Sequence, residues 1–98
     1  MNELYRLVGQ KVTGLRLGED VVSLLLSEGV FVAFNPISGA APGELEGRHI
    51  EGVSLVDHER LSLAFDDGSM LHVSLRDEDY SGPEAYEVSF VDGSIVGQ

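Results

Sequence analysis

Apolar and small polar residues alternate along two neighbouring segments near the middle of the chain. Residues 61–65 read LSLAF, residues 71–75 read LHVSL, and an Asp-Asp-Gly sequence lies between them. Alternation with a period of two on both sides of a glycine turn predicts a β-hairpin with one buried face. A three-residue loop, Asp66 to Gly68, sets Leu63 opposite Leu71 and keeps apolar residues paired. We therefore expect the glycine of this loop to adopt the left-handed conformation.

An earlier part of the chain follows the same plan. Residues 7–35 and 45–75 share seven identities, mostly glycine and leucine, at an offset of 38 that becomes 39 after one inserted residue. We interpret these stretches as internal repeats, each a three-stranded antiparallel meander. The alignment pairs Gly29 with Gly68 and so predicts the same glycine turn in the first repeat.

A glycine interrupts the alternation in the leading strand of each repeat. The apolar positions change phase at Gly14 and at Gly52, which predicts a β-bulge or bend. Apolar pairing then predicts that Leu15 faces Leu24 across a four-residue loop, and that Val53 faces Leu63 across a five-residue loop.

The residues outside the repeats predict loops and one more hairpin. Residues 35–43 are rich in proline and glycine, and residues 76–83 are acidic and turn-rich. A C-terminal hairpin is expected over residues 85–97, and a single helical turn with Asn2 as its cap is possible at the N-terminus.

The chain is thus expected to be a single all-β domain, residues 1–98, of about eight short antiparallel strands. Such strands form a small barrel or two packed sheets, and the pattern does not decide between these architectures.

The two predicted hairpins differ on the face that points away from the core. In the second repeat this face is mostly polar, whereas in the first it is apolar and carries Val21, Leu25, Phe31 and Ala33. A hairpin that is apolar on both faces must be covered on both. Burial of each large side chain there is worth roughly 1.5–3 kcal/mol. We expect the cover to be either the N-terminal segment or a second subunit, with a symmetric homodimer the commonest form.

Composition narrows the possible partners and location. Seventeen acidic residues against six basic ones give a net charge of −11, which disfavours nucleic acid and can attract a basic protein. The chain has no cysteine, so disulfides and thiol chemistry are excluded. No apolar run reaches the roughly 18 residues of a membrane span, and the N-terminus does not resemble a signal peptide. A cytoplasmic location without membrane association is expected.

No motif in the chain predicts catalysis. The histidines at 49, 58 and 72 lack metal-site spacing, and the acidic run 77–79 lacks the order of a calcium loop. We therefore expect that the chain has no catalytic residue, metal or cofactor, and that it is not an enzyme. A ligand site at the open end of a barrel is the alternative, with Glu84, Tyr86 and His72 as its candidate rim.

Three segments of the chain resemble a known set of sequences. They are Leu45-x-Gly47-x-x-Ile50, then Leu61-x-Leu63-x-Phe65-x-x-Gly68-x-x-Leu71-x-Val73, then Tyr80 with Glu84-Ala85-Tyr86-x-Val88, followed by Asp92-Gly93-x-Ile95-Val96. This pattern resembles families of small uncharacterised bacterial proteins with LxGxxV, LxLxFxDGxxLxV and YExYxV…DGxxIV signatures. The resemblance implies a bacterial β-rich domain of unknown function.

These observations favour a β domain that acts by protein contact, as a homodimer that uses its apolar second face. Two alternatives stay open at this point. One is a barrel that binds a small ligand or hydrolyses it at its open end, and the other is an immunity-type inhibitor of a toxin.

Overall fold

A computed structural model describes residues 3–97, and the candidate cap Asn2 lies outside them. Three short 3₁₀ helices cover Glu3–Leu7, Pro42–Glu44 and Asp77–Asp79. Nine strands are formed by the described residues: β1 Val12–Gly18, β2 Val21–Leu26, β3 Gly29–Ala33, β4 Ile37–Gly39, β5 Ile50–Val56, β6 Arg60–Phe65, β7 Met70–Ser74, β8 Tyr86–Phe90 and β9 Ile95–Gly97. The predicted all-β class is confirmed.

The strands form two antiparallel sheets that do not close into a barrel. The five-stranded sheet has the order β1-β2-β3-β8-β9, and the four-stranded sheet has the order β4-β7-β6-β5. Each sheet contains one of the predicted three-stranded meanders, β1-β2-β3 or β5-β6-β7. Of the two predicted architectures, the structure therefore has the two-sheet one.

Each meander receives its fourth strand from the other half of the chain. β4 follows the first meander but pairs with β7 of the second, with Ile37 opposite Val73. β8 follows the second meander but pairs with β3 of the first, with Tyr86 opposite Ala33. The two sheets are thus linked by an exchange of strands.

The meanders also meet where their first strands begin. The Gly9 N–H donates to the Ile50 carbonyl at 2.7 Å, and the Gly47 N–H donates to the Val12 carbonyl at 2.8 Å. An isolated bridge pairs Lys11 with His49 between these bonds. The two bonds are equivalent in the repeat, because Gly47 is the counterpart of Gly9 and Ile50 is the counterpart of Val12 at an offset of 38 residues. This junction therefore has approximate two-fold symmetry. The symmetry fits the proposed internal repeat, whose origin by duplication stays a prediction.

Most of the predicted registers are confirmed. Leu15 lies opposite Leu24, and Val53 lies opposite Leu63. The first strand of each meander has a bulge at its glycine. In the second meander, Leu63 pairs with Leu71 around the predicted three-residue loop, and Gly68 has a φ of +87°.

The turn of the first meander is shorter than predicted. Leu26 pairs with Gly29, so only Ser27 and Glu28 form the turn, and Leu24 lies opposite Phe31. One residue fewer in the loop moves every side chain of β3 to the other face. The assignment of Phe31 and Ala33 to the outer face is therefore wrong, since they are 0% and 2% exposed in the core.

Strand β4 lies in a stretch that the sequence predicts as a loop. Its three residues form the edge of the four-stranded sheet, and its Gly39 has a φ of +94°. A Cβ atom at Gly39 would overlap the Met70 carbonyl oxygen. This strand was missed because the prolines and glycines around it outweigh a single apolar position, Ile37.

The inner faces of both sheets pack into one core. The core includes Leu24 and Phe31 from one sheet and Leu63 and Leu71 from the other. Leu4 and Leu7 of the N-terminal 3₁₀ helix also belong to this core.

Candidate interaction surface

The outer face of the five-stranded sheet carries a continuous group of apolar side chains. Strand alternation places Val21 and Leu25 of β2 on this face, together with Val30 and Val32 of β3. All four residues are only partly buried. We call these four residues the apolar face. Exposed Ile95 extends it, since it lies beyond Ser89 in the same cross-strand row as Leu25 and Val30.

The N-terminal segment does not cover the apolar face. Leu4 and Leu7 are buried in the core, whereas Tyr5 and Val8 are exposed. The Arg6 guanidinium lies 4.0 Å from the centroid of the Phe90 ring and donates to Asp92 at 2.8 Å. The segment therefore packs at the end of the sandwich, and one of the two predicted covers is not found in residues 3–97.

Two opposite charges lie in the central row of this face. The row crosses β1, β2, β3 and β8 as Arg16, Ser23, Val32 and Glu87, each paired with the next, and it ends at Gly97 of β9. Within the described part of the chain, neither Arg16 nor Glu87 makes an ion pair. The row thus carries a cation on β1 and an anion on β8, both without an ionic partner among these residues.

The outer face of the four-stranded sheet is polar by contrast. Its central row runs from Ser38 through His72 and Ser62 to Ser54. The Ser62 hydroxyl lies 2.7 Å from His72 Nδ1, which is hydrogen-bond distance. Water can cover this face at little cost, so it needs no partner.

The candidate ligand rim is not brought together by the fold. Tyr86 points into the core, where its ring stacks on Phe31 at a centroid distance of 6.0 Å. Burial raises the pKa of Tyr86 to about 12. Glu84 lines a cleft of about 130 Å³ with Phe34 and Ser81–Pro83, whereas His72 lines a separate cleft on the other sheet.

The cleft beside His72 has balanced charge. It has a volume of about 290 Å³ and contains Arg60 and Arg76 together with Glu59 and Asp79. Arg76 already pairs with Glu78 at 2.5 Å, and Asp79 accepts a hydrogen bond from the Ser74 hydroxyl. His72 also lies beside the Ser62 hydroxyl. Among residues 3–97, no carboxylate is hydrogen-bonded to this imidazole as a catalytic triad would require.

A larger cleft of about 450 Å³ opens between the ends of the two sheets. Val21, Phe34 and Ile37 supply apolar walls, and Asp20 and Asp79 lie among the lining residues. Asn35, also in the lining, donates from Nδ2 to the Ser74 carbonyl at 2.8 Å. Its Oδ1 is buried and has no hydrogen-bond partner among the described residues. This cleft could accept a small molecule with an apolar body.

The remaining polar candidates do not form a site. Within residues 3–97, no three histidine or acidic side chains are grouped to hold a metal ion. His49 lies 3.3 Å from Asp66, and His58 lies 3.9 Å from Asp77, both at the surface. None of the helices in this part of the chain is long and apolar enough to cross a membrane.

The residues of the apolar face that sequence reasoning missed are Val30 and Val32. A two-residue turn would have placed them correctly, and it also sets Leu24 and Phe31, both fully buried, opposite each other. Arg16 and Glu87 were missed because their shared row depends on the pairing of β3 with β8, far apart in sequence.

Together, fold and surface define an all-β protein of two packed sheets with one apolar outer face. Searches of protein-family models, curated proteins and solved structures each gave no match for this chain. The resemblance to uncharacterised bacterial families stays a prediction.

Proposed function

We propose that this chain functions by binding protein through its apolar face. The single observation that carries the proposal is that Val21, Leu25, Val30 and Val32 form an apolar sheet surface that no part of residues 3–97 covers. A contiguous apolar patch that stays partly accessible to solvent is typical of a protein contact site. The polar outer face of the other sheet shows that the fold does not require such a surface.

The location that fits this proposal is the cytoplasm. Thiols are kept reduced there and disulfides are rare, and a chain without cysteine needs no disulfide. The immunity-type role is one form of the same proposal and stays a prediction. The ligand-binding or hydrolytic alternative has less support, because the sheets do not form a barrel and its three rim residues lie apart.

A cysteine scan can test whether the apolar face is covered. The native chain has no cysteine, so one introduced thiol reports on one position. We would compare Val32→Cys with His72→Cys, because both occupy the third-strand position of the central row in their sheets. The rate of maleimide labelling is measured in the cells from which the chain comes and in dilute purified protein.

The expected result is a labelling rate at Val32→Cys that is about tenfold lower in cells than in dilute protein, with no such change at His72→Cys. A partner that excludes water from the apolar face would cause this difference. If both thiols are labelled equally fast in both conditions, the face is uncovered and the proposed function is wrong.

A further inference from the structure

We infer that the partner on the apolar face is a second copy of this chain, related by a two-fold axis that runs along the strands between β2 and β3. This inference rests on the proposed function, because it names the occupant of the same surface. It goes further by giving the orientation of the two copies and the residues that meet across them.

The charges of the central row specify this orientation. An axis along the strands places each cross-strand row against the same row of the second copy in reverse order. Arg16 of one copy then lies opposite Glu87 of the other, and the symmetry produces this pair twice. Ser23 meets Val32 in the middle, so no charge is buried at the centre.

The neighbouring row is compatible with the same axis. It crosses the four strands as Gly14, Leu25, Val30 and Ser89. Reversal places Leu25 opposite Val30 of the second copy, again twice, and sets the small residues Gly14 and Ser89 opposite each other. Ile95, beyond Ser89 on β9, lies outside these pairs. Two sheets that pack face to face with nearly aligned strands are a common arrangement in β-proteins.

The main alternative orientation is opposed by charge. A two-fold axis across the strands along the central row would place Arg16 against Arg16 and Glu87 against Glu87. Like charges at an interface destabilise it. The axis along the strands is the choice that pairs opposite charges.

A strongly basic partner fits the face less well than a second copy does. The chain carries a net charge of −11, but the face itself has one cation and one anion in its central row. A partner that also carries one cation and one anion can form an ion pair with each of these two charges. A strongly basic partner can form an ion pair only with Glu87. The face spans four short strands, and interfaces at the small end of the usual range are weak. We expect a Kd on the order of 10 µM.

Sedimentation equilibrium of the purified full chain over a broad micromolar range tests the inference. The wild type is expected to be a reversible dimer. Arg16→Glu and Glu87→Arg should each raise the Kd by about tenfold or more, because each creates two like-charge contacts. The double variant R16E/E87R should return to within about threefold of wild type, since opposite charges then meet again.

A mixture of the two single variants gives a sharper result. The central row of the R16E variant carries an acidic residue at both positions 16 and 87, and that of the E87R variant carries a basic residue at both. One copy of each therefore forms two opposite-charge pairs across the proposed axis, and the mixture should dimerise more tightly than either variant alone. Ser54→Glu is the matched control, because Ser54 holds the same position in the other meander, and it should leave the Kd unchanged.

The sedimentation and labelling results together distinguish a failure of the homodimer inference from a failure of the proposed function. A chain that is monomeric throughout, with Val32→Cys still protected in cells, would overturn the inference and leave the proposed function intact, with another protein as the partner. A dimer whose Kd is unchanged by Arg16→Glu and by Glu87→Arg would show that the two copies meet in another orientation, and it would overturn the inference. Circular dichroism and the melting temperature of each variant exclude unfolding as the cause.

Discussion

The two meanders share a plan but differ in the turn between their second and third strands. Ser27 and Glu28 form a two-residue turn in the first, whereas Asp66 to Gly68 form a three-residue loop in the second. The longer loop is specified locally, since the Asp67 carboxylate accepts hydrogen bonds from the Ser69 N–H at 3.0 Å and from its hydroxyl.

The shorter turn is held by bonds from distant residues. The Ser27 N–H donates to the Lys11 carbonyl at 2.9 Å, and the Glu28 N–H donates to the Gln10 side-chain oxygen at 2.9 Å. The Val91 N–H donates to the Glu28 carbonyl at 3.2 Å. This difference teaches that two aligned glycines can serve different purposes: Gly68 supplies a left-handed residue, whereas Gly29 supplies space.

The largest effect is expected from lengthening the short turn. Insertion of one glycine after Glu28 would give the first meander a three-residue loop and would displace Ser27 and Glu28 from the bonds that hold the short turn. Each hydrogen bond lost costs about 0.5–1.5 kcal/mol, and more where a buried group stays unpaired. We expect a loss of about 2–4 kcal/mol in the free energy of unfolding, measured with urea.

The control for the insertion is one glycine added after Gly43, where a Cβ atom would meet nothing within 4 Å. That exposed loop should tolerate the extra residue with little change. Equal stability of both insertions would mean that the hydrogen bonds of the short turn do not stabilise the fold.

A smaller effect is expected from Gly29→Ala. A Cβ atom at this position would overlap the Ser89 carbonyl oxygen of β8, and such overpacking costs typically about 1–3 kcal/mol. Gly68→Ala is the matched variant in the other turn; its Cβ has open space but its φ is +87°, so the cost should be about 1–2 kcal/mol.

The two glycine positions should also respond differently to asparagine. Gly68→Asn should recover part of the loss, because asparagine tolerates the left-handed conformation. Gly29→Asn should be worse than Gly29→Ala, because it adds volume where a backbone already lies. The free energy of unfolding of each variant is measured by chemical denaturation. If alanine and asparagine rank in the same order at both positions, Gly29 and Gly68 do not differ in the reason why glycine is needed.

The smallest effect concerns the acid side of the stability curve. The three-residue loop recurs at Val91 to Gly93. Hydrogen bonds from Ser94, followed by contact with Arg6, lower the pKa of Asp92 to about 2. A carboxyl group with a lowered folded-state pKa stabilises the fold above its unfolded pKa, near 4, and loses this contribution as the pH falls toward 2.

Ser94→Ala should therefore flatten the loss of stability between pH 4 and pH 2 and lower stability at pH 7. Ser69→Ala should do the same at the other loop, where hydrogen bonds from Ser69 lower the pKa of Asp67. Urea unfolding at pH 7, 4 and 2 measures both. A slope unchanged by either substitution would show that these serines do not hold the carboxylates in their ionised form.

Much of the fold could be predicted from alternation alone, because one buried face imposes a register on each hairpin. Leu15 opposite Leu24 and Leu63 opposite Leu71 follow from this rule. The turn at Ser27 could not be predicted, since the bonds that hold it come from Gln10, Lys11 and Val91. The exchange of β4 and β8 likewise depends on packing between distant segments.

The candidate site was predicted in kind but not in composition. Val21 and Leu25 lie on the outer face of the first meander as expected, whereas Phe31 and Ala33 lie inside. The polar outer face of the second meander, with His72 on it, also follows from the alternation. Glu84 and Tyr86 were grouped by alternation within one strand, which carries no information about a cavity between sheets.

The exchanged fourth strands have a consequence for synthesis of the protein. The strand that completes the sheet of the first meander, Tyr86–Phe90, is made only after the whole second meander. The edge of β3 and the inner side of the first meander must therefore stay unpaired until that strand has left the ribosome. A translation product that stops before residue 86 would keep this edge open and would be prone to join with other chains.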